Sequence, residues 1–178
     1  MKRLALLLAP LVLAACATSP SITTDSQPGT DFSKYRTYTW GDKPETVNPL
    51  NSQRIMAGIN AQLQAKGWTE SAQGDVTLLA HVATAQKQTM DTFYTGTPYG
   101  GWGWRGVGMG MGSSQTVVHT YNVGTLVVDM FDTSTHQAVW RGTATATVPD
   151  SAQDQNAKID AGIVKMFVDF PPGSAPAK

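Results

Sequence analysis

Gly124-Thr-Leu-Val-Val-Asp-Met-Phe-Asp132 and Ala138-Val-Trp-Arg-Gly-Thr-Ala-Thr-Ala-Thr-Val148 decide how this chain folds. Both alternate with a period of two. Leu126, Val128 and Met130 share one side, as do Trp140, Ala144, Ala146 and Val148, while Thr125, Val127, Asp129, Arg141, Thr143, Thr145 and Thr147 take the other. Such alternation describes strands with one buried face. A five-residue turn over 133–137 sets the pairing so that Asp129 stands opposite Arg141. A cross-strand ion pair is expected there, worth at most about 1 kcal/mol if exposed.

On the C-terminal side, Asp150 or Ser151 caps a helix whose stripe is Ile159, Ile163, Met166 and Phe170, widened by Val164 and Phe167 and ended by Pro171-Pro172. On the N-terminal side, residues 116–121 read as a further strand, and Val76 to about Ala85 as another. Asn48-Pro49 opens a second helix, Ile55, Ile59 and Leu63 repeat every four residues, and Gly67 stops it, with Trp68 folding back onto the last turn. Tyr38 and Trp40 alternating with threonines give a first short strand. The order strand, helix, four strands, helix predicts an α+β domain. Its sheet would be antiparallel or mixed, of about five strands, with two helices packed on one face.

The chain begins with a different kind of segment. Lys2 and Arg3 precede an apolar run from Leu4 to Leu13, then Leu13-Ala-Ala-Cys16. Ten apolar residues are too few for a spanning helix and fit a cleaved export signal. Small residues ending directly in cysteine resemble the bacterial lipoprotein box, so residues 1–15 are expected to be removed and Cys16 to carry lipid. Several acyl chains on one residue give durable anchoring. Ala17, where enterobacterial inner-membrane lipoproteins usually carry Asp, points to the periplasmic leaflet of the outer membrane. Residues 16–30, rich in Thr, Ser, Pro and Gly, read as a lipidated terminus and flexible tether spanning roughly 20 Å. Residues 31–172 form one domain, and 173–178 a disordered tail.

Removing residues 1–15 leaves 163, a common size for one domain with a single core. Eleven basic residues then face thirteen acidic ones, which gives no electrostatic footprint for nucleic acid. Cys16 is the only cysteine, so disulfides are excluded.

Motifs that would name a reaction are missing. There is no phosphate-binding Gly-Lys-Ser or Gly-Lys-Thr and no Gly-x-Ser-x-Gly elbow. Asp129 and Asp132 lie three apart on a strand and so point to opposite faces. His81, His119 and His136 belong to no short metal-binding motif, although His81 and His119 could share a face with Asp129 one strand over. Neither a metal nor a cofactor is expected. The unusual segment is the loop 94–114, where glycines interleave with Tyr94, Tyr99, Trp102, Trp104, Arg105, Met109 and Met111. Aromatic side chains on an uncharged loop can stack on sugars, embed among lipid headgroups or fill a partner's groove. The plain alternative is a low-complexity connection between two strands.

Asp31-Phe-Ser-Lys-Tyr-Arg-Thr-Tyr-Thr-Trp40, Lys66-Gly67-Trp68 with Asp75-Val76, Gly124 to Asp132, and Trp140-Arg-Gly142 together resemble the bacterial domain-of-unknown-function family 4136, small envelope lipoproteins. The resemblance runs from Asp31 to Pro172 and implies an α+β domain without an assigned reaction or ligand. Trp40, Trp68 and Trp140 read as buried anchors, Gly124 and Gly142 as backbone allowances.

The leading expectation is a non-catalytic lipid-anchored envelope module. It would hold the membrane through Cys16 and an envelope protein or glycan through its outward strand face and loop. The alternative is a small periplasmic hydrolase or metal-dependent enzyme whose site forms only in three dimensions, gathering His81 or His119 with a carboxylate in a pocket. A third reading is a purely structural surface protein.

Overall fold

A computed structural model of the chain describes residues 19–95 and 113–173. Six strands form one mixed sheet in the order β1-β6-β5-β4-β2-β3, with β1 at Ser21–Ser26, β2 at Thr37–Asp42, β3 at Thr69–Glu70, β4 at Val76–Thr95, β5 at Ser113–Asp132 and β6 at Ala138–Thr147. β2 runs parallel to β3 and β4, and the remaining pairs are antiparallel. Helices α1 (Pro49–Ala65) and α2 (Ala152–Met166) pack on one face, where Ile55, Ile59, Leu63, Ile163 and Met166 meet Tyr38, Leu78, Val128, Met130 and Trp140 in a single core.

Local chemistry sets the helix ends. The Asn48 side chain accepts the Leu50 N–H and Pro49 opens the first turn of α1. At its other end Gly67 takes φ 82°, and the Trp68 N–H reaches back to the Leu63 carbonyl at 3.0 Å. Trp68 is thereby buried, as the glycine stop predicts. Ser151 caps α2, accepting from the Asp154 N–H. The helix ends at Met166, before the prolines, and Phe167 and Phe170 reach the core from the turn that follows, whereas Val164 is exposed.

The sheet departs from the expected five strands. The stretches 116–121 and 125–132 are one strand, because Gly124 is a place of close approach and not a turn. A Cβ there would meet Val148 Cγ2 at 3.2 Å. β3 adds a two-residue edge. β1 corrects the tether, since residues 21–26 pair with β6 from Ser21↔Thr145 to Ser26↔Trp140. Only Ile22 of that strand packs on the core, and the backbone ladder supplies the rest of the compensation for ordering. Residues 94–95 and 113–114, assigned to the loop, continue the β4–β5 ladder, which closes at Thr95↔Ser113.

The Tyr38 hydroxyl is buried without a hydrogen-bond partner among the described residues. Tyr38→Phe should therefore leave stability unchanged or raise it by up to about 1 kcal/mol, measured by urea unfolding. A loss above about 1 kcal/mol would show that the hydroxyl is satisfied.

Candidate functional site: an apolar cleft at one end of the sheet

Strand and helix lengths do not match. Twenty-residue strands extend roughly 66 Å, while helices of seventeen and fifteen residues cover about 25 and 22 Å. The helices thus cover only the part of the β4–β5 pair near the Val76 end. Beyond it a cleft of about 580 Å³ opens between the N-terminal halves of α1 and α2 and the sheet. Its floor is Val82, Leu126 and Ala144, and its walls include Ile55, Ile159 and Pro20. That volume lies in the range of small-molecule sites. Further out, residues 86–95 of β4 pair only with 113–122 of β5, a two-stranded ribbon reaching roughly 33 Å beyond the sheet body. Met90 and Val118 stand opposite each other on it, exposed.

The charged groups at the opposite end perform structural work. The Asp132 carboxylate accepts from the Tyr35 hydroxyl at 2.8 Å, Lys34 Nζ at 3.2 Å, the Ser134 hydroxyl at 2.6 Å and the Ser134 and Thr135 N–H groups. The Ser134 hydroxyl foremost, then the Thr135 N–H, Tyr35 and Lys34, hold its pKa well below the usual carboxylate range despite burial. Asp75, accepting the Arg36 and Thr37 N–H groups, is lowered as well. Both carboxylates therefore contribute stability above the unfolded-chain value near 4, lost as pH falls below it. Asp132→Asn should cost about 2–3 kcal/mol at pH 7. The gap to wild type in thermal unfolding should shrink below pH 4; a gap that stays constant down to pH 3 would contradict this assignment.

Asp129 and Arg141 stand opposite each other on the outward face, joined by two hydrogen bonds, the Nη2–Oδ2 contact at 2.8 Å. The pair matches the expected register, but Asp129 is buried while Arg141 remains exposed. Asp132 faces the core side, so the two carboxylates diverge as expected.

The histidines do not converge. His81 pairs with Val127 and His119 with Thr89, eight residues apart along β5. His81 Nδ1 lies 3.6 Å from Asp42 Oδ2 and His119 Nε2 3.9 Å from Asp91 Oδ2, each pair exposed and outside the cleft. Among the described residues no group of three or more His, Cys, Asp and Glu side chains could hold a metal ion. Tyr94 lies in the β4 ribbon. Cys16, Tyr99, Trp102, Trp104, Arg105, Met109 and Met111 lie outside the described residues. The cleft residues were missed because each reads singly as ordinary core; the detectable signal was the excess of strand length over helix length.

The model of the domain of unknown function DUF4136 matches residues 22–172. The chain belongs to the DUF4136 family. A crystal structure of a DUF4136 family protein from Bacteroides thetaiotaomicron superimposes on it with a TM-score of 0.56 at 15% identity, over 87% of this chain and 97% of that one. A PDZ domain protein from Parabacteroides distasonis superimposes with a TM-score of 0.54 at 12% identity over 89% of this chain, which spans 37% of that protein. The PelC dodecamer of Paraburkholderia phytofirmans gives 0.49 at 15% identity, over 83% and 94%. At these identities the likeness is one of fold. No curated protein matches the sequence. For this DUF4136 protein, no described helix is long and apolar enough to cross a membrane.

Proposed function

We propose that this DUF4136 protein is a non-catalytic, lipid-anchored module of the bacterial cell envelope, held by Cys16 in the periplasmic leaflet of the outer membrane and binding another envelope component. One observation carries the reading: the cleft, the ribbon and the point where the chain enters the fold lie at the same end of the sheet. Pro20 lines the cleft, and β1 enters the sheet beside Thr145, next to the cleft-lining Ala146. Since β1 starts at Ser21, only residues 17–20 separate it from Cys16, so an anchor there holds the cleft end within about 20 Å of the membrane. The ribbon leaves the sheet at that same end, and the aromatic segment 96–112, which joins its two strands in sequence, is the part assigned to the partner. The enzyme reading lacks support from the histidines, which meet separate carboxylates on open surface.

In-cell crosslinking of the full chain, compared with a variant lacking residues 96–112, tests the binding role. The expected result is a reproducible envelope partner that the deletion loses. The same partner list from both proteins would overturn a role for the loop.

A further inference from the structure

We infer that the cleft seats one of the acyl chains carried on Cys16, an inference that rests on the lipid anchor proposed above. The cleft's composition argues for an apolar occupant. Val82, Leu126 and Ile159 are only partly buried by the protein itself, and with Ile55 and Ala144 they form a continuous apolar lining. Several polar groups at the rim are already engaged internally. Asn48 Oδ1 accepts from the Leu50 N–H, Gln155 Nε2 donates to the Pro149 carbonyl at 2.8 Å, and the Thr46 hydroxyl donates to the Asn48 carbonyl at 2.6 Å. Glu45, Asn51, Thr84 and Lys158 also line the cleft, but its floor of Val82, Leu126 and Ala144 offers no polar partner, and a hydrocarbon chain needs none.

Size and reach select the occupant. A sixteen-carbon chain needs on the order of 400 Å³ at interior packing density, within the cleft's 580 Å³. Pro20 stands on the cleft wall near Gly162 of α2, so Cys16, four residues upstream, lies within about 14 Å of the opening. Val47, fully exposed at the rim, and Leu50, 67% exposed at the start of α1, extend the apolar surface. Seating the chain would cover the apolar floor of Val82, Leu126 and Ala144 and draw the domain down onto its anchor.

The test feeds cells expressing the whole chain a palmitic acid analogue with a diazirine in the distal half of its chain, irradiates them, and maps crosslinks in the purified mature protein by mass spectrometry. The expected result is label on Cys16 with intramolecular crosslinks to peptides bearing Ile55, Val82, Leu126 or Ile159. Ala146→Phe, which fills the cleft, should reduce those crosslinks at least fivefold, and Val82→Gln, which makes the floor polar, should act the same way in a protein whose circular dichroism is unchanged. Label on Cys16 with crosslinks only to phospholipid would overturn the seating while leaving the anchor intact. A Cys16 without label would overturn both.

Discussion

Phe170→Ala should lower the unfolding free energy by about 3–5 kcal/mol, the cost of removing a buried aromatic ring and leaving its cavity. Phe170 is 1% exposed and meets four rings, with centroids at 5.8 Å for Phe32, 5.4 Å for Trp68, 5.2 Å for Trp140 and 5.5 Å for Phe167. Those rings come from the turn before β2, the stop of α1, the start of β6 and the end of α2. One side chain therefore joins four parts of the chain, and edge-on packing adds to the area buried. Against a typical total of about 5–15 kcal/mol this is a large fraction, and the melting temperature should fall by roughly 10–15 °C. Urea unfolding checks it; a loss under about 1.5 kcal/mol would mean the cluster closes around the cavity.

Gly142→Val should cost about 3 kcal/mol or more, by overpacking. Gly142 lies between Trp140 and Ala144 on the helix-facing side of β6. A Cβ there would stand 2.6 Å from Met166 Cγ and Sδ and closer still to the Trp140 ring. Both neighbours are buried, Met166 to 1% exposure and Trp140 to 3%, so neither can swing into solvent. α2 would have to lift from the sheet. Thr143→Ala, one residue along on the outward face, should stay within about 0.5 kcal/mol. Equal unfolding midpoints for Gly142→Val and wild type would contradict the packing described.

Where a residue's neighbours in sequence are also its neighbours in space, the sequence was legible. Asn48-Pro49 and Gly67 bound α1 because capping is local chemistry. The Asp129–Arg141 pair followed from turn length and alternation alone, although the burial of Asp129 did not, since it depends on what surrounds the pair on the sheet face. Ser21–Ser26 was read as tether because its strand character comes from the backbone ladder with β6, more than a hundred residues away, and not from its own mostly polar side chains. Gly124 reads as a backbone allowance, and its missing side chain does make room for Val148, but the continuity of β5 through it depends on the ladder with β4 and not on Gly124 itself. The cleft was least legible of all. It is made by helices that stop short of long strands, a relation between element lengths that no single motif carries.

Anchoring at Cys16 underlies the functional account, and the intact mass of the mature protein purified from membranes tests it most directly. The expected result is a chain that begins at Cys16 and carries acyl chains, while Cys16→Ala protein is recovered without lipid from the soluble fraction. A mature chain cleaved elsewhere, or one that begins at Cys16 with an unmodified thiol, would contradict the account.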